Sequence, residues 1–215
     1  MNPATAPAVH TDHSNPRAVP TLPRFLATAN SPFMAGAGNT EDGFTAMYNS
    51  LRTGSMGSAS PRVVGALPTL AYPQPIKAST SVTICGHSLG GALVTLLALD
   101  VAGNSIFRNP TVYTYASPRT GDPLFVSMYD HLVPQTCRIA NRMDLVPKLP
   151  MPPLYDHVLG LYELNPVRLL PLPPKILVKP NLVCEHVLNT YLYLLSIASG
   201  SAVIPLDAQC VPLAL

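Results

Sequence analysis

The sequence predicts an α/β fold, a mostly parallel sheet with flanking helices. Three observations predict it. Short β-branched runs alternate with helical stretches between Val82 and Ala140, and strands separated by helices of about ten to fifteen residues need parallel pairing with right-handed crossovers. A Gly-His-Ser-Leu-Gly-Gly run sits at one strand-to-helix junction. The length, 215 residues, suits one domain with a sizeable core.

Residues 1 to about 22 are rich in Pro, Ala, Thr and Asn without a hydrophobic period, and read as a disordered or loosely packed lead-in. Residues 23 to 40 hold isolated Phe25, Leu26, Phe33 and Met34 between breakers and predict no regular element. The boundary therefore falls between a lead-in, 1–39, and a folded domain, 40–215. Glu41 to Leu51 places Phe44, Met47, Tyr48 and Leu51 on one helical face, with Thr40 or Asp42 available as a cap. Residues 52 to 79 are rich in Gly, Ser and Pro, with a short element around Arg62 to Leu67. Val82 to Cys85 reads as a buried strand. A helix follows over Leu89 to Ala102, a strand over Thr111 to Tyr115, a helix over Pro123 to Leu132 and a strand over Thr136 to Ala140. Nine prolines between 147 and 180 predict an irregular or hairpin-like apolar segment. His186 to Ala198 reads as a closing helix, with Leu188, Tyr191, Leu192 and Leu195 at helical spacing.

Apolar residues make up 47% of the chain and charged ones 11%. Such a composition has apolar surface to spare for a greasy pocket or a lipid-facing rim. A net charge of +2 with no Lys/Arg cluster argues against nucleic acid as a partner. Cys85, Cys137, Cys184 and Cys210 lack paired metal-binding spacing, so no metal site is expected. Cys85 and Cys137 read as small buried residues, whereas Cys184 and Cys210 can pair where the compartment is oxidising. Apolar runs fall short of a membrane span. The first residues lack a basic start followed by an apolar stretch, which reads as no secretory signal and, by default, a cytoplasmic location.

The junction Gly86-His87-Ser88-Leu89-Gly90 carries the chemistry. A serine on a tight turn between strand and helix is pushed out of the sheet as a nucleophile. Glycines at 86 and 90 spare that turn two colliding Cβ atoms. The N–H of Leu89 then points at a developing oxyanion from the helix N-terminus. A serine needs a base, and the base an orienting acid. In the order Ser, acid, His, the acid belongs on a loop after a later strand, where Asp144 fits and Asp122 is the rival, the latter also reading as a helix cap. Asp130 and Asp156 read as solvent-facing. For the base, His10 and His13 lie in the lead-in, His87 points away from its neighbour Ser88, and His131 precedes the acid. His157, in the Pro-rich stretch, and His186 remain, and His186 is favoured because a loop-to-helix boundary positions its side chain firmly. No cofactor is needed for this chemistry.

From about Glu41 onward the chain resembles the class 3 lipases, the fungal triacylglycerol lipase-like branch of the α/β-hydrolases. The resemblance rests on Gly43-Phe44 with Tyr48, on Gly86 to Leu93, on Thr114 to Asp122, on Arg138 to Pro150, on Tyr155 to Val158 with Glu163, and on Cys184-Glu185-His186 with Tyr191. It implies an α/β-hydrolase-like fold and a triad of Ser88, Asp144 and His186, with Leu89 N–H in the oxyanion hole. It implies a lipid or other ester as substrate, with transient contact with a lipid interface. The family also carries an upstream strand ending in Phe-Arg-Gly and then Ser or Thr, which supplies a second oxyanion donor. Residues 1 to 40 contain no such segment, so the amino-terminal strands are expected to be missing or divergent. The rival expectation is a hydrolase-fold binding module impaired in catalysis. The apolar residues Leu154, Leu159, Leu161, Leu169, Leu170, Leu172, Ile176 and Val178 are the expected wall for an acyl chain.

Overall fold

The computed structural model describes residues 30–53, 79–167, 169 and 178–212. The expectations for residues 1–29, for the 62–67 element and for Leu170, Leu172 and Ile176 lie outside them. A short ribbon opens the described chain, β1 (Asn30–Pro32) antiparallel to β2 (Asn39–Glu41). This replaces the irregular reading of 30–39. Its turn runs through Gly36 and Gly38, both at positive φ, and a Cβ on Gly38 would meet Asp122 Oδ1 at 2.4 Å. Helix α1 (Asp42–Thr53) follows. Neither predicted cap starts it: the Phe44 N–H donates to the Glu41 carboxylate at 2.8 Å, while Thr40 pairs with Thr45.

Strand β3 (Thr83–His87) leads through Ser88 into α2 (Leu89–Asn104). Then come β4 (Thr111–Tyr115), α3 (Pro123–Leu132), β5 (Thr136–Asn141), β6 (Leu161–Leu164), α4 (Leu182–His186) and α5 (Leu188–Ser199). The four strands β3 to β6 pair in chain order, all parallel. Each is joined to the next by a crossover, as the alternating pattern requires.

β6 lies inside the Pro-rich stretch predicted to be irregular. Gly160 allows its approach: at φ +85 it runs so close to β5 that a Cβ would sit 2.0 Å from Thr136 O. Its carbonyl accepts from Arg138 N–H at 2.8 Å. The closing helix also divides. Val187 is extended between α4 and α5, so His186 ends a short helix rather than opening a long one.

Two cores flank the sheet. On one face Ile84 and Val112 meet α1, α2 and α3 through Phe44, Leu96, Leu99, Phe125 and Tyr129. Helix α2 is apolar nearly all round, the pattern of a buried helix. Its one buried acid, Asp100, accepts from Tyr48 Oη at 2.7 Å and from Asn104 Nδ2 at 2.6 Å. On the other face Ile139 and Leu164 pack on Tyr191, Leu194 and Cys184. There the Cys184–Cys210 disulfide ties α4 to the carboxyl-terminal segment, the pairing foreseen for an oxidising setting. Among the described residues β3 is the sheet's edge. Cys85 is accordingly exposed and Cys137 half-buried, against the expectation that both are buried. Both occupy one row across the sheet, with Tyr113 between them; Cys137 packs against the second core, whereas Cys85 stands on the edge strand.

Candidate active site

The site forms at the carboxyl ends of the parallel strands, where loops leave an open α/β sheet. Ser88 stands on the turn after β3 at φ 58 and ψ −127. A non-glycine residue there costs about 1–3 kcal/mol and persists only where its surroundings impose it. The surroundings here are tight. A Cβ on Gly86 would lie 2.3 Å from Gly90 O and 2.8 Å from Val94 Cγ2. A Cβ on Gly90 would meet nothing within 4 Å. The steric demand thus falls on Gly86 alone, not on both glycines. Gly91 lets α2 approach the loop after β4, since its Cβ would sit 2.8 Å from Ser117 Cβ.

Ser88, Asp144 and His186, widely separated in sequence, converge here. Ser88 Oγ lies 2.7 Å from His186 Nε2, and His186 Nδ1 lies 2.8 Å from Asp144 Oδ2. The carboxylate accepts, so Nδ1 carries the proton and Nε2 is left to accept from the Ser88 hydroxyl. Asp144 is 1% exposed. Besides His186 it accepts from Tyr191 Oη at 2.7 Å and from Val146 N–H at 2.9 Å. Three donors hold the carboxylate in one orientation. Tyr191 Oη in turn accepts from Asn141 N–H at 3.1 Å, and burial beside Asp144 pushes its ionisation well above the usual tyrosine range.

The rival residues do other work. Asp122 caps α3, accepting from Phe125 N–H at 2.8 Å, and its other oxygen accepts from Asn39 N–H at 2.9 Å. His157 bonds Pro147 O at 2.5 Å. Burial first, then the neighbouring Arg138, lower its pKa to about 4. Asp130 is half-buried and accepts from Leu159 N–H at 2.9 Å rather than facing solvent alone. Asp156 is exposed.

Sequence reasoning missed His87. Its side chain does turn from Ser88, but Nε2–H donates to His186 O at 2.7 Å, and the two rings lie 4.9 Å apart. Burial lowers the His87 pKa, and the bond to the His186 carbonyl partly offsets it. The alternation of faces along β3 places residue 87 toward α5, a signal readable only once the sheet's layers are known.

Leu89, the first residue of α2, has an N–H with no acceptor inside the helix. Both Ser88 and Leu89 line a cleft of about 180 Å³. Phe44, Pro118, Val146, Leu149 and Pro150 form its apolar walls. Among the described residues, none of those foreseen as the wall between 154 and 178 lines the cleft. Leu159 and Leu161 are exposed, while Leu169 and Val178 belong to the second core. The nearer 146–150 turn closes the cleft first.

A serine elbow at the edge of a parallel sheet, with helices on both faces, defines an α/β-hydrolase architecture. The Lipase (class 3) family matches residues 13–153, and the chain belongs to that family. Over 76 residues it is 40% identical to phospholipase A1-II 4 of Oryza sativa subsp. japonica, a match covering 33% of this chain and 19% of that protein. Over 88 residues it is 33% identical to secreted mono- and diacylglycerol lipase 3 of Gibberella zeae, covering 40% and 28%. Rhizomucor miehei lipase in its native propeptide complex superposes with a TM-score of 0.50 at 25% identity, covering 65% of this chain and 43% of that one. The chain spans less than a third of the curated relatives it matches.

Proposed function

We propose that this protein hydrolyses carboxylic esters of lipids, acylglycerols or related acyl lipids, with Ser88 as nucleophile, His186 as base and Asp144 as orienting acid. The observation that carries the reading is the unbroken chain Ser88 Oγ, His186 Nε2, His186 Nδ1, Asp144 Oδ2, with links of 2.7 and 2.8 Å. His186 takes the Ser88 proton as Oγ attacks the ester carbonyl. The Leu89 N–H and the α2 dipole stabilise the oxyanion. His186 then protonates the leaving alcohol, and an acyl-serine remains. Water, deprotonated by His186, attacks that ester and releases the acid and Ser88. Asp144 stabilises the imidazolium throughout.

Membership of a lipase family supports the acyl ester as substrate class, and the names of the relatives point to phospholipids and partial glycerides. Exposed Leu145 and Met151 flank the cleft wall and support transient contact with a lipid interface. Among the described residues no helix is long and apolar enough to cross a membrane. The disulfide supports an oxidising compartment over the cytoplasm expected by default.

A second reading, a hydrolase-fold module that binds without turnover, is favoured by one observation: residues 1 to 40 hold no counterpart of the segment carrying the second oxyanion donor. Loss of one donor costs about 10² to 10³ in turnover. Release of p-nitrophenol from p-nitrophenyl butyrate by the wild type and Ser88→Ala decides. A wild-type rate that the substitution abolishes supports the hydrolase. Folded wild type with no more activity than Ser88→Ala supports the binding module.

A further inference from the structure

The geometry points to Arg119 as the residue that sets the width of the acyl cleft, and so to esters of short acyl chains as the preferred substrates; this rests on the hydrolase reading above. Arg119 directly follows Pro118, one wall of the cleft. The opposite wall is Leu149-Pro150. Arg119 ties the two together with three bonds to three consecutive carbonyls. Its backbone N–H donates to Leu149 O at 2.7 Å. Its guanidinium donates to Lys148 O and, at 3.0 Å, to Pro150 O. His157 holds the preceding carbonyl, Pro147 O. The turn is closed internally as well, by Lys148 N–H to Leu145 O at 2.9 Å and Leu149 N–H to Val146 O at 3.0 Å.

A planar guanidinium suits this task. Its Nη1 donates to the carbonyls either side of one residue, and the rigid plane of the group fixes the direction of those two donors, whereas an ammonium on a flexible stem can supply both bonds without fixing their direction. Leu149 is that middle residue, and its side chain lines the cleft. The space so defined, about 180 Å³, is below the roughly 300–1,000 Å³ of pockets for drug-sized ligands. A cleft of that volume favours a short acyl group over a long one. Arg119 touches no reacting atom. It is a positioning residue for the acyl group, acting through Leu149.

The test uses p-nitrophenyl acetate, butyrate and octanoate with wild type, Arg119→Lys and Arg119→Met, and Ser88→Ala as the blank. Wild type favours butyrate over octanoate by about tenfold in kcat/KM, and Arg119→Met raises the KM for butyrate about tenfold while kcat falls less than about threefold, the mark of lost ground-state binding. Arg119→Lys recovers part of the KM, and the butyrate preference flattens in the Met variant. A KM and chain-length profile untouched in Arg119→Met overturns the proposal, as does an equal kcat loss on every ester. Amide hydrogen exchange over residues 145–151, followed in the Ser88→Ala background, reads the clasp without turnover. Faster exchange there in Arg119→Met supports it, and unchanged exchange sinks it. Equal turnover by wild type and Ser88→Ala instead sinks the hydrolase reading, and the substrate claim with it.

Discussion

The elbow makes a sharp steric prediction, because two glycines four residues apart in one motif face opposite environments. In Gly86→Ala the new Cβ lies 2.3 Å from Gly90 O, 2.6 Å from Gly90 C and 2.8 Å from Val94 Cγ2. Two of those atoms are backbone and cannot rotate away. Relief requires the start of α2 to move about 1 Å from β3, an overpacking cost of about 1–3 kcal/mol. For a chain of this length that lowers Tm by about 2–12 °C. The moving segment carries Ser88 and the Leu89 N–H, and a 1 Å displacement of reacting groups costs about 10²-fold in rate. In Gly90→Ala the Cβ meets nothing within 4 Å, and alanine gains up to about 1 kcal/mol of helix propensity. Thermal melting by circular dichroism and p-nitrophenyl butyrate turnover measure both effects. Gly86→Ala melting with the wild type and retaining its rate would refute the reasoning, as would a Gly90→Ala destabilised by as much.

Three further outcomes follow from the surroundings of His186 and His157. Tyr191→Phe removes one of three donors to Asp144 and leaves the buried Asn141 N–H without its acceptor, so stability falls by about 2–4 kcal/mol; urea denaturation with an unchanged slope checks it, and kcat/KM falls with little change in KM. Replacing both Cys184 and Cys210 by Ser opens a loop of 26 residues' separation, which costs about 3 kcal/mol; a reductant lowers the melting point of the wild type but not of the double variant. His157 titrates near pH 4 when folded and near the usual 6.5 when unfolded, so the unfolded chain takes up a proton first. Its contribution is complete above about pH 6.5 and is lost as pH falls toward 4, at most about 3 kcal/mol; in His157→Gln the slope of stability against pH in that window flattens.

Much of the fold was legible because the central segment obeys local rules. Thr111–Tyr115 and Pro123–Leu132 have the predicted bounds, each between unambiguous breakers, and Asp122 caps α3 as read. Convergence at Ser88 was legible from chain order and strand ends. Strand ends and the loop-to-helix boundary favoured Asp144 over Asp122 and His186 over His157, and the resemblance pointed to the same pair. What escaped depended on tertiary contact. β6 is four residues long and flanked by prolines, too short for a period to show. Cys85 looked buried because β3 is β-branched, yet burial of a strand depends on neighbours that no local pattern reports. The cleft wall was assigned to the longest apolar stretch, when nearness to Ser88 depended on the turn at Val146–Lys148.

The site spans two cores that the sheet keeps apart. Ser88 and the Leu89 N–H stand on α2, held by the cluster of Phe44, Leu96, Leu99 and Phe125. His186 and Tyr191 stand on α4 and α5, held by the opposite cluster of Ile139, Leu164, Leu194 and the disulfide. Packing within either cluster does not by itself fix the distance between the hydroxyl and the imidazole. The bond from His87, on the nucleophile strand, to the His186 carbonyl does cross. Tyr191 to Asp144 and Asn141 Nδ2 to Glu185 O at 2.8 Å fix the acid and α4 on the imidazole's own side. Burial holds the layers together without direction, whereas hydrogen bonds fix an angle and a length. The reacting geometry therefore depends on a few polar contacts beside the reacting atoms.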